Sequence, residues 1–434
     1  MAAVCLLGPV ITVGPACAQS PAASFRGGPA HLGVYPGPGI RAAPKVAWRF
    51  QTAGRVFGSP AIEGETVFIG STDGFVYALD RASGELRWKH KTGARVSSSP
   101  AVAGGRVFVA SYDGLIYALD AATGATAWSF KTGGERRFAG THLHGYEPAA
   151  ESMPDAFDVW LSSPAVWRDL VVIGSGDGHV YGLDARSGQA RWRFRTGDVV
   201  HASPAIADGV VYIGSWDGVL YALEAASGTL VWKLQTGRDE NIHNQVGFQG
   251  SASVSDGTVY VGCRDAHLYA VDARTGKIRW SYGTKGSWVS GSPAVAGGHV
   301  YFGTSDTHTF FDLDARTGAV NGSVPLTYFL FASPALAGGL AYVGSWDGKL
   351  TAIDLATRMP SWVWQTDASR RHLAEFQAKD GSVEFSPDGE ELWYDELMYD
   401  AVRSWKLGGL LSSPVVANGV LYIGSTDGNL YALR

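Results

Sequence analysis

Cysteine is nearly absent, with three in 434 residues, at positions 5, 17 and 263. If the first two leave with an export segment, Cys263 stands alone and no internal disulfide can form. Lysine and arginine never cluster, and the net charge is −5, which argues against nucleic acid as a partner. Beyond the N-terminus no apolar run is long enough to span a bilayer, so the mature chain is expected to carry no transmembrane segment. Catalytic signatures are missing too. There is no Gly-x-Ser-x-Gly elbow, no glycine-rich phosphate loop and no His-Glu-x-x-His. Their absence removes the hydrolase, phosphate-loop and zinc-protease readings those motifs carry.

What the chain has instead is repetition. Val67-Phe-Ile-Gly-Ser-Thr-Asp-Gly-Phe-Val-Tyr-Ala-Leu-Asp80, followed by Ser83-Gly84 and Trp88, recurs around Asp113, Asp177, Asp217, Asp265, Asp306, Asp347 and Asp427. A bare spacing of about 40 residues is the period of a four-stranded propeller blade. Ser59-Pro60-Ala61-Ile62 opens strand A, Val67 to Gly70 is strand B, Phe75 to Leu79 is strand C, and the Trp88 segment is strand D. Asp73-Gly74 suits a tight hairpin. The expected fold is all-β, an eight-bladed β-propeller of four-stranded antiparallel blades. The eighth unit stops after strand C at Arg434, and its missing Trp/Thr pair exists as Trp48/Thr52. The N-terminal strand is therefore expected to close the ring, which removes an exposed sheet edge. Trp48, Trp88, Trp128, Trp192, Trp232, Trp280 and Trp362 are read as blade-packing residues, while blade six has Gly322 in that place.

Residues 4–14 are apolar, and Ala16-Cys17-Ala18 has a small-x-small cleavage pattern. Residues 1–18 are expected to be an export signal cleaved after Ala18, which points to the periplasm or secretion. Cys17 lacks the leucine three residues earlier that lipidation requires. Residues 19–45, rich in Gly, Pro and Ala, read as a flexible lead-in. The propeller is expected over 46–434, with insertions near 134–160, 238–249 and 367–410. Each falls between strand D of one blade and strand A of the next, so all three decorate one face of the ring. Function is expected there, because elaborated loops over a rigid scaffold carry binding and chemistry.

Strand A is innermost, so the residues before each Ser-Pro are expected to line the channel mouth: Phe57, Trp160, His201, Gln249, Trp288, Phe331 and Leu411. The B–C turns add Tyr112, Trp216 and Trp346. Aromatics interleaved with a few polar groups suit a small-molecule or peptide pocket; the competing reading is that they plug the channel and pack the insertions. The first insertion offers His142, His144, Glu147, Asp155 and Asp158 as a candidate divalent-metal set, against an ordinary loop. In the second, His243 and Asn244 are candidates for hydrogen bonds to a ligand, against a capped turn. The third, with Glu375, Asp395, Glu396 and Asp400 among its carboxylates, reads as an acidic flap with Trp393 and Tyr394 as anchors, against a solvated charged surface.

The segment Ala78-Leu79-Asp80-x-x-Ser83-Gly84-x-x-x-Trp88 resembles the tryptophan-docking motif of pyrroloquinoline-quinone (PQQ) repeat propellers, over roughly residues 46–434. The resemblance implies two branches. Quinoprotein dehydrogenases hold PQQ, usually with calcium, in the channel beside a catalytic Asp, and many stack a vicinal cysteine pair on the cofactor. This chain has no Cys-Cys and no calcium-ligand set that can be matched. The BamB-like branch, non-catalytic propellers of the outer-membrane β-barrel assembly machinery, shares the compact blades and the signal peptide. The missing lipobox and the three insertions lend that branch no support. The expectation is a monomeric exported binding or scaffold protein without a cofactor. Its partner, a protein or a small ligand, would sit at the channel mouth. The alternative is a compact quinoprotein oxidoreductase using PQQ and calcium.

Overall fold

Apolar segments of five or six residues, punctuated by glycine turns, pair with their chain neighbours. The first repeat forms strands Ala61–Glu63, Thr66–Gly70, Phe75–Asp80 and Leu86–Lys91, hydrogen-bonded in that order. Strands B and C are buried on both faces, as neighbouring blades require. Gly74 takes φ +82° at the B–C hairpin, where an L side chain would be strained. The computed structural model describes residues 23–141, 148, 150–237, 247–378, 382–383 and 393–434. Eight such four-stranded sheets make an eight-bladed propeller. Segment 1–18 and the candidates His142, His144, His243 and Asn244 lie outside the described residues.

The ring closes through the N-terminal strand. Val46–Gln51 pairs antiparallel with Asn429–Leu433, with Trp48 opposite Ala432 and Phe50 opposite Leu430. Neighbouring blades are then riveted by the docking tryptophans. The indole N–H of Trp48 donates to the Arg81 carbonyl at 3.0 Å, and Trp88 does the same to Ala121 at 3.0 Å. Except for Trp362, each of these rings lies on a glycine of the next blade. A Cβ on Gly84 would come within 2.6 Å of Trp48, and one on Gly124 within 2.6 Å of Trp88. The Asp-Gly turns add a second rivet. Asp73 accepts from Phe75 N at 3.0 Å and from the Tyr77 hydroxyl at 2.7 Å, and it also accepts from Ala53 N of the preceding blade at 3.0 Å.

Between blades six and seven the docking trio is exchanged as a set. Gly322 stands for the tryptophan, Asp312 for the alanine opposite it, and Arg358, at φ +58°, for the docking glycine. The Arg358 side chain fills the indole's place, since a Cβ on Gly322 would meet its Cδ at 2.3 Å. Its Nε donates to Asp312 at 2.8 Å, and His299 Nδ1 lies 2.7 Å from the same carboxylate. An ion pair thus stands where an aromatic contact joins other blades.

Around the axis, one serine from each strand A, followed by proline in every blade but the fifth, where Ala252 follows Ser251, forms a closed circuit. The backbone N–H of Ser59 donates to Ser99 Oγ, Ser99 to Ser163, Ser163 to Ser203, Ser203 to Ser251, Ser251 to Ser292, Ser292 to Ser333, Ser333 to Ser413, and Ser413 back to Ser59, at 2.8–3.1 Å. Proline next in chain suits this inner edge, because it has no N–H to leave unpaired.

The expected flexible lead-in requires correction. Residues 23–35 run across the channel end opposite the insertions, with Ala23, Ser24, Arg26, His31, Gly33 and Tyr35 buried there. The carbonyls of Pro29, Ala30, Leu32 and Gly33 accept from Ile206 N, Val254 N, Val295 N and Leu336 N at 2.7–3.0 Å. These are inner-edge donors of four successive strands A, which would otherwise lie buried and unpaired. Further along, the Ile40 carbonyl accepts from the Trp362 indole at 2.7 Å, the role a next-blade residue plays elsewhere. Glycine and proline here serve close passage along a crowded floor; a Cβ on Gly33 would stand 2.3 Å from the Arg26 guanidinium.

Two outcomes are expected. Trp48→Ala should destabilise the fold by about 3 kcal/mol, and deletion through Phe50 should abolish cooperative unfolding; an unchanged melting temperature in the deletion variant refutes closure. Restoring the docking trio with Asp312→Ala, Gly322→Trp and Arg358→Gly together should hold or raise the melting temperature. Arg358→Gly alone should lower it, because it strands the buried Asp312.

Candidate functional site

Strand register sets the mouth. Two residues before each ring serine come Phe57, Ser97, Leu161, His201, Gln249, Ser290, Phe331 and Leu411. Leu161 and Ser290, rather than Trp160 and Trp288, are therefore the register equivalents. Trp160 still lines the channel beside Leu161, and Trp288 sits in the cluster over it.

The mouth is closed by the chain itself. The first insertion returns through a short pairing of Ala139–Gly140 with Met153–Pro154, then sends residues 155–160 into the mouth. Phe157 meets Trp288, Phe331 and Trp346 edge-on, with centroids at 5.8, 6.0 and 5.9 Å. Gln249 Nε2 donates to the Phe157 carbonyl at 2.6 Å. Phe138 stacks on Trp216 at 4.4 Å. The third insertion lies over this cluster. It contains helices α1 (Asp367–His372) and α2 (Tyr394–Ser404), and it buries Phe376, Leu397, Ala401 and Leu407 inward. Ser404 Oγ accepts from the Trp346 indole at 3.0 Å. The sequence-predicted residues Phe57, Trp160, His201, Trp216, Gln249, Trp288, Phe331 and Trp346 thus converge on one end of the channel, packed under the insertions. Tyr112 joins them at the edge, its ring beneath the Arg95 guanidinium at 4.7 Å.

Charge is buried with them. Arg264 lies 3.7 Å above the Trp288 ring and 4.8 Å from Trp216, and its Nη1 donates to Asp155 at 2.7 Å, both side chains fully buried. His201 Nδ1 stands 2.7 Å from Asp158, and its Nε2 lies 3.5 Å from Glu135. Glu135 accepts in turn from Ser175 Oγ at 2.8 Å and Gly176 N at 2.7 Å. Burial alone would lower the His201 pKa, but the Asp158 and Glu135 carboxylates outweigh it and hold the imidazole up at about 9. Asp155 and Asp158, candidates for a metal, are instead taken by Arg264 and His201. Among the described residues, no His, Cys, Asp and Glu side chains are grouped to hold a metal ion. Cys263 is buried, and that burial pushes its thiol up to about 12, leaving it unreactive.

Sequence reasoning missed Arg264 and Glu135. Arg264 had a signal: it occupies the variable position of Gly-Ser-x-Asp-Gly, the place of Tyr112, Trp216 and Trp346 in other repeats. Glu135 had none, because it reaches across to the next blade's Gly176. The acidic-flap reading is also corrected. Tyr394 is an anchor, its hydroxyl donating to the Pro154 carbonyl at 2.8 Å. Trp393 is not, being 60% exposed at the N-cap of α2, while Tyr399 at 69% and Val402 at 45% lie exposed on the helix's outer side. Helical spacing turns Leu397, Ala401 and Ser404 inward instead.

A family model described as Outer membrane protein assembly factor BamB matches residues 41–144 and 147–362. The chain belongs to this PQQ-repeat propeller family. No curated protein matches significantly. Solved structures share its fold. BamB from Moraxella catarrhalis is 18% identical, with a TM-score of 0.64 over 91% of this chain and 98% of that one. A europium-containing methanol dehydrogenase is 15% identical, at 0.68 over 96% and 98%. Quinohemoprotein alcohol dehydrogenase from Comamonas testosteroni is 13% identical, at 0.69 over 95% and 80%. At these identities the likeness is one of fold. Among the described residues no helix is long and apolar enough to cross a membrane.

The His201 arrangement has a pH signature. With a folded value near 9 above an unfolded value of about 6.5, its stabilisation is fully present below the unfolded value and is lost as pH rises through the folded one. Between about pH 6.5 and 9, wild-type stability should therefore fall relative to His201→Gln in denaturant titrations. Parallel pH profiles would refute the assignment.

Proposed function

We propose that this PQQ-repeat propeller is an exported scaffold that binds a protein partner on the surface built by its insertions, without catalysis of its own. The carrying observation is that residues 155–160 fill the channel mouth while an apolar stripe stays outside it. Tyr399 and Val402 share the outer side of α2 with Asp395 and Glu396, and Trp393 stands exposed at the helix N-cap. Solvent-facing aromatics of this kind on a rigid base suit a protein contact. The BamB description of the family model supports an assembly or binding role, and the Ala16-Cys17-Ala18 pattern supports export to the periplasm or beyond.

The quinoprotein reading fits the described residues poorly. The channel retains a cavity of about 40 Å3, far below the few hundred Å3 of small-molecule sites. Asp155, Asp158 and Glu135, carboxylates of the mouth, are held by Arg264 and His201. A tricyclic quinone would have to displace Phe157 and its neighbours.

A photo-crosslinker at Tyr399 in exporting cells is expected to capture one discrete protein. Trp393→Ser with Val402→Ser should abolish the adduct at unchanged melting temperature, and the same probe at Leu86, on an exposed blade edge, should give none. Failure to crosslink at Tyr399 would overturn the reading. So would a bound-quinone spectrum with substrate-dependent dye reduction after addition of PQQ and calcium.

A further inference from the structure

The chamber under the mouth cluster lies apart from the partner surface and meets the ion pairs above it through His201, which lines its wall. Its volume of about 40 Å3 holds roughly three waters or one small hydrated ion, at about 10–15 Å3 of probe volume per water. Its wall is the serine ring. Each ring Oγ already accepts a backbone N–H from the neighbouring blade. Among the described residues, none of these hydroxyls has a protein acceptor for its own proton. The chamber is thus lined with O–H donors. Ser290 Oγ and Gln249 Oε1, also on the wall and buried, have no protein partner.

A buried cation stands behind the floor. Phe25 reaches the chamber from the opposite end, and the next residue, Arg26, is fully buried. Its terminal nitrogens donate to the carbonyls of Pro293 and Pro334, which directly follow ring serines Ser292 and Ser333. No carboxylate pairs with it among the described residues, and its Nε has no partner. A buried cation without counter-charge is costly. Burial lowers Arg26 to about 10, leaving it charged at neutral pH. Burial and the Arg26 charge together drive the neighbouring His31 down to about 3, so His31 adds no charge.

We infer that the serine ring is a binding site for a small monovalent anion of the halide class, held by ring hydroxyls and balanced by Arg26. A cation would meet the charged His201 on the wall and Arg26 behind the floor. Water alone would satisfy the hydroxyls but leave the buried guanidinium uncompensated. Gln249 Oε1, an acceptor, is served by a water of the anion's hydration shell, for which the chamber has room.

Crystals of the full chain grown with sodium bromide in place of chloride are expected to show an anomalous bromide peak inside the serine ring. At constant ionic strength, exchanging gluconate for chloride should raise the melting temperature with the mass-action dependence of a ligand bound only by the folded state. Arg26→Met should lose that dependence. Should this variant fail to fold, the wild-type diffraction and melting data decide alone. Water-only density in the ring, bromide found solely on the outer surface, or a melting temperature indifferent to the gluconate–chloride exchange would each overturn the assignment.

Discussion

The circuit of serine N–H groups and hydroxyls around the axis is the constraint on which the rest depends. Eight sheets can be stacked side by side without forming a ring. Closing them leaves the inner edge of every strand A facing a narrow channel, where unpaired backbone donors would be buried at a cost of about 1–3 kcal/mol each. The serine ring satisfies one such donor per blade, and each bond points to the next blade, so the circuit is complete only when all eight blades are present. The N-terminal segment pairs four more inner-edge donors at the opposite end. Ring size, channel width and the seat of the first insertion all follow from this geometry.

On that frame the two ends of the channel are finished differently. The floor is closed by backbone, with a single buried arginine capped by proline carbonyls. The mouth is closed by side chains, and buried charge there always comes with its opposite: Arg264 with Asp155, His201 with Asp158. Buried pairs of this kind contribute little net stability but penalise any arrangement that separates them. They fix the path of residues 155–160 more than they strengthen it. The exchange at blades six and seven obeys the same rule, with Asp312 tolerated because Arg358 and His299 meet it.

Much of this was legible in the residues alone. Repeat spacing, Asp-Gly turns and the Trp/Thr pairs determine blade number, strand order and closure by Trp48, because hairpin pairing and blade docking are local and recur eight times. The one-sided placement of the insertions follows from the same order. Tertiary structure alone decided what the non-repeating parts do. The lead-in looked flexible because Gly and Pro are common in linkers, yet the channel floor needs the same residues for close passage. The mouth aromatics suited either a pocket or a plug packed under the insertions; a large apolar opening is better covered than left in water, and the first and third insertions cover it. Whether Asp155 and Asp158 would face a metal or a base depended on Arg264 and His201, which lie more than forty residues away in sequence. Contacts between a loop and a distant blade have no period, so no pattern in the chain announces them. Only the closed ring brings them within hydrogen-bonding distance.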